Sequence, residues 1–403
     1  MSYDVAAVRA HFPALKQGAA HFDGPGGSQV PDVVGDAVRA TLVAAIANRG
    51  RVTAAERTAE ETVLAARQAV ADLLGLVPRG VVFGRSMTQL TFDFSRALAK
   101  TWRPGDEVVV TRLDHDANIR PWVYAAEAAG ATLRWADFDP ATGELSPQAV
   151  ASVLTERTRL VALTGASNLI GTRPDLRAVA DLVHAAGGLV YVDGVHLTAH
   201  GPIDAGALGA DFFGCSPYKF LGPHCGVIGA RPELLEQVHP DKLLPATEEV
   251  PERFEFGTLP YELLAGTTAA IDFLASLAPA PSGDRRRDLV SAMSAVEAHE
   301  DRLRDRIERH VLALPGVTVW SRAARRTPTL LLTFAGREAR EAYEYLATLG
   351  VNAPAGSFYA LEASRWLGLG DDGGLRVGLA PYTNDEDVDR LLDGLDQFVR
   401  GAL

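Results

Sequence analysis

Apolar positions in the middle of the chain recur with two alternating periods. Leu160–Gly165 (LVALTG) is an apolar run of strand length. Thr172 and Pro174 then supply helix-start chemistry, and Leu176, Val179 and Val183 fall on one face of a helix. Gly187 and Gly188 end that helix, and Leu189–Asp193 (LVYVD) reads as the next buried strand. This is a βαβ unit, which predicts a parallel sheet covered by helices. Glu107–Thr111 (EVVVT) and Val227–Ala230 (VIGA) read as further strands of the same sheet. Upstream, Glu61–Leu74 places Val63, Ala66, Val70, Leu73 and Leu74 on one helical face.

The texture changes after about residue 275. APAPSGDRRR is a stretch of proline, glycine and charge, in which Arg285–Arg287 reads as a solvated loop. It leads into a long charged helix, Leu289 to about Leu314, with Val296, Leu303, Ile307 and Val311 as its buried stripe. Thr329–Phe334 (TLLLTF) and Leu375–Ala380 (LRVGLA) read as strands of a smaller α+β domain. The expected organisation is α/β: a large domain over residues 21–275, a small C-terminal domain over 276–403, and an N-terminal segment, 1–20, packed with the small domain.

Composition narrows the chemistry. Of 403 residues, 47% are hydrophobic and 22% charged, which is globular material. The 39 Lys+Arg against 51 Asp+Glu leave a net charge of -12, unsuited to coating nucleic acid or an anionic membrane. Two cysteines, Cys215 and Cys225, make neither a zinc pair nor a disulfide framework, so a reduced compartment is expected. The N-terminal stretch lacks a signal-peptide pattern and no uncharged run of about 18 apolar residues occurs, so the expectation is a cytoplasmic protein. Phosphate-loop, dinucleotide-fold, nucleophile-elbow and zinc-protease motifs are all missing. His196 and His200 are four apart, but no third ligand accompanies them, so no metal is expected.

The informative stretch is Val190–Gly226. A strand ends in Asp193, at the carboxyl edge where open parallel sheets bind ligands. A carboxylate buried there is costly without a cation. Lys219 follows another apolar run, Asp211–Ser216, and precedes a Gly/Pro turn. A carboxylate for a pyridinium nitrogen and a lysine for an aldehyde are what pyridoxal 5′-phosphate requires. Spacing alone allows equally a helix-capping Asp and a surface Lys.

The flanking residues resemble the class V aminotransferase superfamily of fold-type I pyridoxal phosphate enzymes, in its cysteine desulfurase-like branch, from about Phe22 to Asp389. The resemblance implies a large domain with a mostly parallel, seven-stranded-type sheet and a smaller α+β domain. It implies that Lys219 forms the Schiff base, that Asp193 pairs with the pyridine nitrogen and that His196 contacts the ring hydroxyl. In LDHDANIRPW it implies that His115 stacks on the ring, and in GASNLIGT that Asn168 bonds the ring hydroxyl. Phosphate contacts fall on Met87 and Thr88, at a helix N-terminus, and on Ser216 and Tyr218, where the family's histidine is replaced. Thr258, in EFGT, falls where a residue reaches the partner subunit's phosphate, which implies a homodimer with shared active sites. Arg376 falls on the arginine that grips the substrate carboxylate, and Asn48 and Arg49 on a segment that enters the partner's site.

One departure bears on the reaction. The family's desulfurases carry a nucleophilic cysteine in a segment that corresponds to Gly356–Ala360 (GSFYA), and Tyr359 stands at that position. A persulfide needs a thiolate. Cys215 reads as an inert core thiol and Cys225 as a residue of the turn beyond Lys219. The expectation is therefore β-elimination of the C–S lyase type on a cysteine-like amino acid, with Tyr359 in the catalytic set. Alternatives are β-decarboxylation with aldol-type bond formation or epimerisation, then cysteine desulfurisation, transamination, and a cofactor-binding regulatory protein without turnover.

Overall fold

The computed structural model describes residues 3–401, so Met1, Ser2, Ala402 and Leu403, the outermost residues of the expected N-terminal segment and small domain, lie outside it. A seven-stranded sheet forms the centre, in the order Val81–Gly84, Gly226–Ala230, Phe212–Cys215, Leu189–Asp193, Thr158–Thr164, Glu107–Thr111 and Thr132–Ala136. Only Gly226–Ala230 runs antiparallel to its neighbours.

Both faces of this sheet are buried, which is why its strands read as continuous apolar runs. Alternate residues divide cleanly between two cores. Val109, Val161, Leu163, Val190 and Val192 join the cluster that contains the helix Ala54–Leu74. Val108, Val110, Leu160, Ala162 and Tyr191 join the opposite cluster, with Phe94 and Trp122.

The small sheet is antiparallel, in the order Ala355–Gly356, Gly374–Gly378, Thr329–Phe334 and Val317–Val319. Its apolar face packs on Leu303, Ile307 and Val311 and on the helix Asp385–Arg400 through Val388, Leu391, Leu395 and Phe398. The N-terminal segment spans both regions. Ala20–His21 pairs in parallel with Val351–Asn352, Arg9 pairs with Asp387 at 2.6 Å, and Phe12 meets the rings of Phe273 and Tyr382.

Two boundaries differ from the pattern. The helix expected from Glu61 begins at Ala54, because Thr53 and Glu56 form a capping box. The long helix begins at Arg285, because the Asp284 side chain accepts from the N–H of Arg287, and it ends at Val311. Arg285–Arg287 is thus a first helical turn and not a solvated loop. Arg285 pairs with Asp72 and Asp272 at 3.1 and 2.9 Å, and Arg286 donates to the carbonyls of Asp72 and Leu73. Those carbonyls end the helix Ala54–Leu74, where a cation is favoured. Among the described residues no helix is long and apolar enough to cross a membrane, and no cluster suited to a metal ion occurs.

Candidate active site

Six parallel strands present their carboxyl ends along one edge, and the loops that leave five of them meet in a cavity of about 660 Å³. Strand register sets the neighbours. Asp193 is paired with Thr164 on one side and Gly214 on the other. The segments Thr164–Asn168, Asp193–His196 and Ser216–Lys219 therefore emerge side by side. Ser86–Thr88, His115, Phe358, Tyr359 and Arg376 complete the lining.

Asp193 is 4% exposed, and its single side-chain hydrogen bond among the described residues comes from the N–H of Val195 at 3.0 Å. Burial pushes its carboxyl up to about 6, against that hydrogen bond and the Lys219 charge. Burial likewise pushes the Lys219 amine down to about 7, helped by the Arg376 charge and opposed by Asp193. The Lys219 amine donates to the carbonyl of Pro25 and lies 4.7 Å from the centre of the Tyr218 ring. The Tyr218 ring in turn stacks on His224.

His115 is held at Nδ1 by the N–H of Ala117 at 3.0 Å, which leaves the proton of the neutral ring on Nε2. Burial first, then Lys219 and Arg376, push its pKa down to about 4, so the ring is neutral. Next to it, Asp114 is fully buried, accepts from Thr111 and Asn118, and so fixes the strap that carries His115. His196 Nε2 lies 2.9 and 3.0 Å from the hydroxyls of Thr327 and Thr329, which tie it to the small sheet.

Met87 and Thr88 open the helix Met87–Ala99, capped by Ser86. Their N–H groups make no hydrogen bond among the described residues. A side chain at Gly226 would collide with the backbone of Ser86 and Met87, so glycine is what lets this helix start approach the sheet. Ser216 lines the cavity, and its hydroxyl is likewise without a partner among the described residues. Two free backbone donors and a hydroxyl at a helix N-terminus suit a phosphate. A buried carboxylate with one partner suits a protonated ring nitrogen, and the unpartnered buried Asn168 Oδ1 awaits a donor such as a ring hydroxyl. The residues present fit pyridoxal 5′-phosphate.

Arg376 is 2% exposed and sits on the small-sheet strand Gly374–Gly378. It donates to the carbonyl of Asn168 at 3.1 Å, its Nε has no partner among the described residues, and its guanidinium lies 3.6 Å from the centre of the Phe358 ring. Burial pushes its pKa down to about 9. A buried guanidinium with an open donor is built to receive an anion.

Phe358 and Tyr359 both have positive φ, 53 and 59°, in the left-handed region. Tyr359 is 75% exposed, at the mouth, with its ring 5.5 Å from that of His115. Neither cysteine lines the cavity. Cys215 is fully buried and its thiol is pushed well above the ordinary range by burial, while Cys225 is pushed up to about 11.

Three expected residues lie outside this cavity: Thr258 and Asn48 are exposed, and Arg49 pairs with Glu60 and Glu252 at 2.7 and 3.0 Å. The same Glu252 and the buried Glu255 grip the buried Arg67, at 3.3 and 2.7 Å. One charged network thus ties the Asn48–Arg49 segment to the residues before Thr258. Several lining residues were not singled out by the sequence reading. Pro25 and Gly26 belong to GPGG, whose glycine density marked a close backbone approach. Phe92, Arg120 and Phe358 carried no local signal.

The sequence matches the aminotransferase class-V family over residues 20–391. It is 34% identical to an uncharacterized protein of Mycobacterium tuberculosis, MT3887, over 98% of this chain and 99% of that one. It is 32% identical to the aminotransferase-like protein FGM3 of Gibberella zeae, over 99% of each. Among solved structures, the cysteine desulfurase CsdA of Escherichia coli, in its S-sulfonic acid form, superposes with a TM-score of 0.88 over the full length of both chains at 27% identity.

Proposed function

Because the chain belongs to the class V aminotransferase family and is with it a pyridoxal 5′-phosphate-dependent enzyme, we propose that it cleaves the carbon–sulfur bond of a cysteine-like amino acid by β-elimination, without a persulfide. What supports this reading is the loop at the mouth: it carries Tyr359, at the position where the resemblance puts a sulfur-accepting cysteine, and both thiols of the chain are buried outside the cavity. A thiol without access and with a raised pKa takes no sulfur.

Lys219 would hold the cofactor through its amine, Asp193 a proton at the ring nitrogen, and Met87, Thr88, Ser216 and Tyr218 the phosphate. Asn168 and His196 would flank the ring hydroxyl. When bound, the cofactor withdraws electrons from the substrate's α-carbon. Lys219, whose amine burial pushes down to about 7, can take the α-proton. Neutral His115 would cover the ring and adds no charge beside that amine. Arg376 receives the substrate carboxylate at its open donor.

The sulfur leaves Cβ with the bonding electron pair and takes a proton, for which the Tyr359 hydroxyl at the mouth is the donor. Water replaces nitrogen in the three-carbon remainder, so that cysteine and water give pyruvate, ammonia and sulfide. Thr258, Asn48 and Arg49 would act on the cavity of a second copy, which makes the proposed enzyme a homodimer.

The test follows pyruvate against alanine from cysteine and an S-substituted cysteine, in the unaltered enzyme and with Cys215→Ser and Cys225→Ser. Pyruvate that survives both replacements is the expected result. Alanine with a protein-bound persulfide, lost in Cys225→Ser, overturns it. Turnover of aspartate or of an aldehyde acceptor, with neither product, assigns the site to carbanion chemistry instead.

A further inference from the structure

The loop that carries Tyr359 is held from outside the cavity. Immediately after it, the short helix Leu361–Trp366 lies against the strap that carries His115. Glu362, 14% exposed at its side chain and not in contact with the cavity, accepts from two arginines of that strap. Arg112 Nη1 donates to Glu362 Oε2 at 3.1 Å, and Arg120 Nη2 donates to Glu362 Oε1 at 2.6 Å. Each arginine is itself fixed. Arg112 lies between the rings of Trp135 and Trp366, at 4.7 and 4.9 Å, and pairs with Asp137 at 2.7 Å. Arg120 lies 2.8 Å from Asp116, as an ion pair too poorly aligned for a hydrogen bond.

Backbone bonds continue the seam. The carbonyl of Phe358 accepts from Asn168 Nδ2 at 2.9 Å, that of Tyr359 from the N–H of Asp116 at 2.7 Å, and that of Phe138 from Trp366 Nε1 at 2.8 Å. These bonds join a small-domain loop to three separate segments of the large domain. Two consecutive non-glycine residues in the left-handed region persist only when their surroundings hold them. The three carbonyl contacts are single neutral hydrogen bonds, whereas Glu362 brings two charge-assisted ones, roughly twice as strong each. It is therefore the strongest tie between loop and strap, and its loss leaves both arginines without their shared acceptor.

We propose that Glu362 is a positioning residue: by bridging Arg112 and Arg120 it holds the 356–360 loop closed over His115, and so sets where Tyr359 stands relative to the substrate. This rests on the reading that the cavity is the reaction site.

The experiment compares the cofactor-loaded enzyme with Glu362→Gln and Glu362→Asp by two readouts. Amide hydrogen exchange over residues 113–120 and 356–362 reports loop closure whatever reaction occurs. Kinetics on L-cysteine report the consequence, as pyruvate released and as the absorbance change on mixing. In Glu362→Gln the Asp116 amide should lose protection, cofactor absorbance should stay at its original level, and kcat should fall about tenfold or more with a smaller change in KM, as for a misplaced group. Glu362→Asp, whose carboxylate is one methylene shorter, should recover part of both. Arg112→Gln removes one donor and serves if Glu362→Gln does not fold, with a smaller effect of the same kind. Unchanged exchange, or opened exchange with kcat within twofold, overturns the assignment, as does loss of activity in step with loss of cofactor. An unaltered enzyme that makes no pyruvate refutes the lyase reading alone, because the exchange and absorbance arms still report on Glu362.

Discussion

Covalent capture of the cofactor offers a test that the structure makes unusually sharp. The chain has four lysines, Lys16, Lys100, Lys219 and Lys242. Lys16 and Lys100 are exposed, and Lys100 and Lys242 pair with Asp241 and Glu248 at the surface. Lys219 alone lines the cavity, with its amine pushed down to about 7 by burial. Only a neutral amine attacks an aldehyde. At pH 7 about half of the Lys219 amines are neutral, whereas an ordinary lysine with pKa about 10.4 leaves about one in 2,500 neutral. The advantage from protonation alone is therefore on the order of a thousandfold. The assay mixes cofactor-stripped protein with pyridoxal 5′-phosphate across pH 5–10, quenches with borohydride and maps the labelled peptide. Labelling should fall on the peptide that contains Lys219, and its rate should rise with pH to a plateau with a midpoint near 7. Arg376→Met removes a positive charge that lowers the amine's pKa, so its midpoint should move to higher pH. Label spread over all four lysines, or a midpoint near 10, refutes the reasoning.

Asp193→Asn should keep the cofactor but lower turnover by a thousandfold or more, since each tenfold is about 1.4 kcal/mol of transition-state stabilisation and a neutral amide cannot hold the ring nitrogen protonated. Steady-state pyruvate release checks it, and near-normal turnover would remove Asp193 from its role. Thr258→Ala should weaken cofactor retention about tenfold or more, the worth of one hydrogen bond to a charged group, with sedimentation at twice the chain mass. A monomer with full cofactor occupancy would contradict it.

How much of this could be read from the sequence depended on range. Leu189–Asp193 and Glu107–Thr111 were legible because both sheet faces are buried and their inner stretches, Leu189–Val192 and Val108–Val110, are continuously apolar. Thr132–Ala136 was not, because it is an edge strand whose exposed Thr132 and Arg134 break the run. The starts at Ala54 and Arg285 were missed because caps made by Thr53 and Asp284 outweigh the weak apolar signal of the first turn. Asp193, Lys219 and His115 stood out because each lies in a local motif at the end of a strand. Phe358 and Glu362 did not: Phe358 meets Arg376 through a loop of the small domain that has no regular period, and Glu362 meets Arg112 and Arg120 only through the docking of two domains. Charge pairs between distant segments have no spacing to recognise.

The left-handed backbone at Phe358 and Tyr359 has a consequence for what chemistry this chain can acquire. A φ of 59° tolerates an unbranched side chain at modest cost but penalises valine, isoleucine or threonine, whose second γ atom meets the preceding carbonyl. Position 359 thus behaves as a socket with a restricted set of inserts. Tyrosine, histidine, asparagine, serine and cysteine all share its unbranched Cβ, and among them they span proton donor, base, amide, alcohol and thiol. One substitution can exchange the reactive group at the mouth while the hydrogen bonds of the loop, which come from its carbonyls, stay as they are. The backbone therefore filters substitutions by shape before chemistry, and cysteine, the insert that a sulfur acceptor needs, passes that filter.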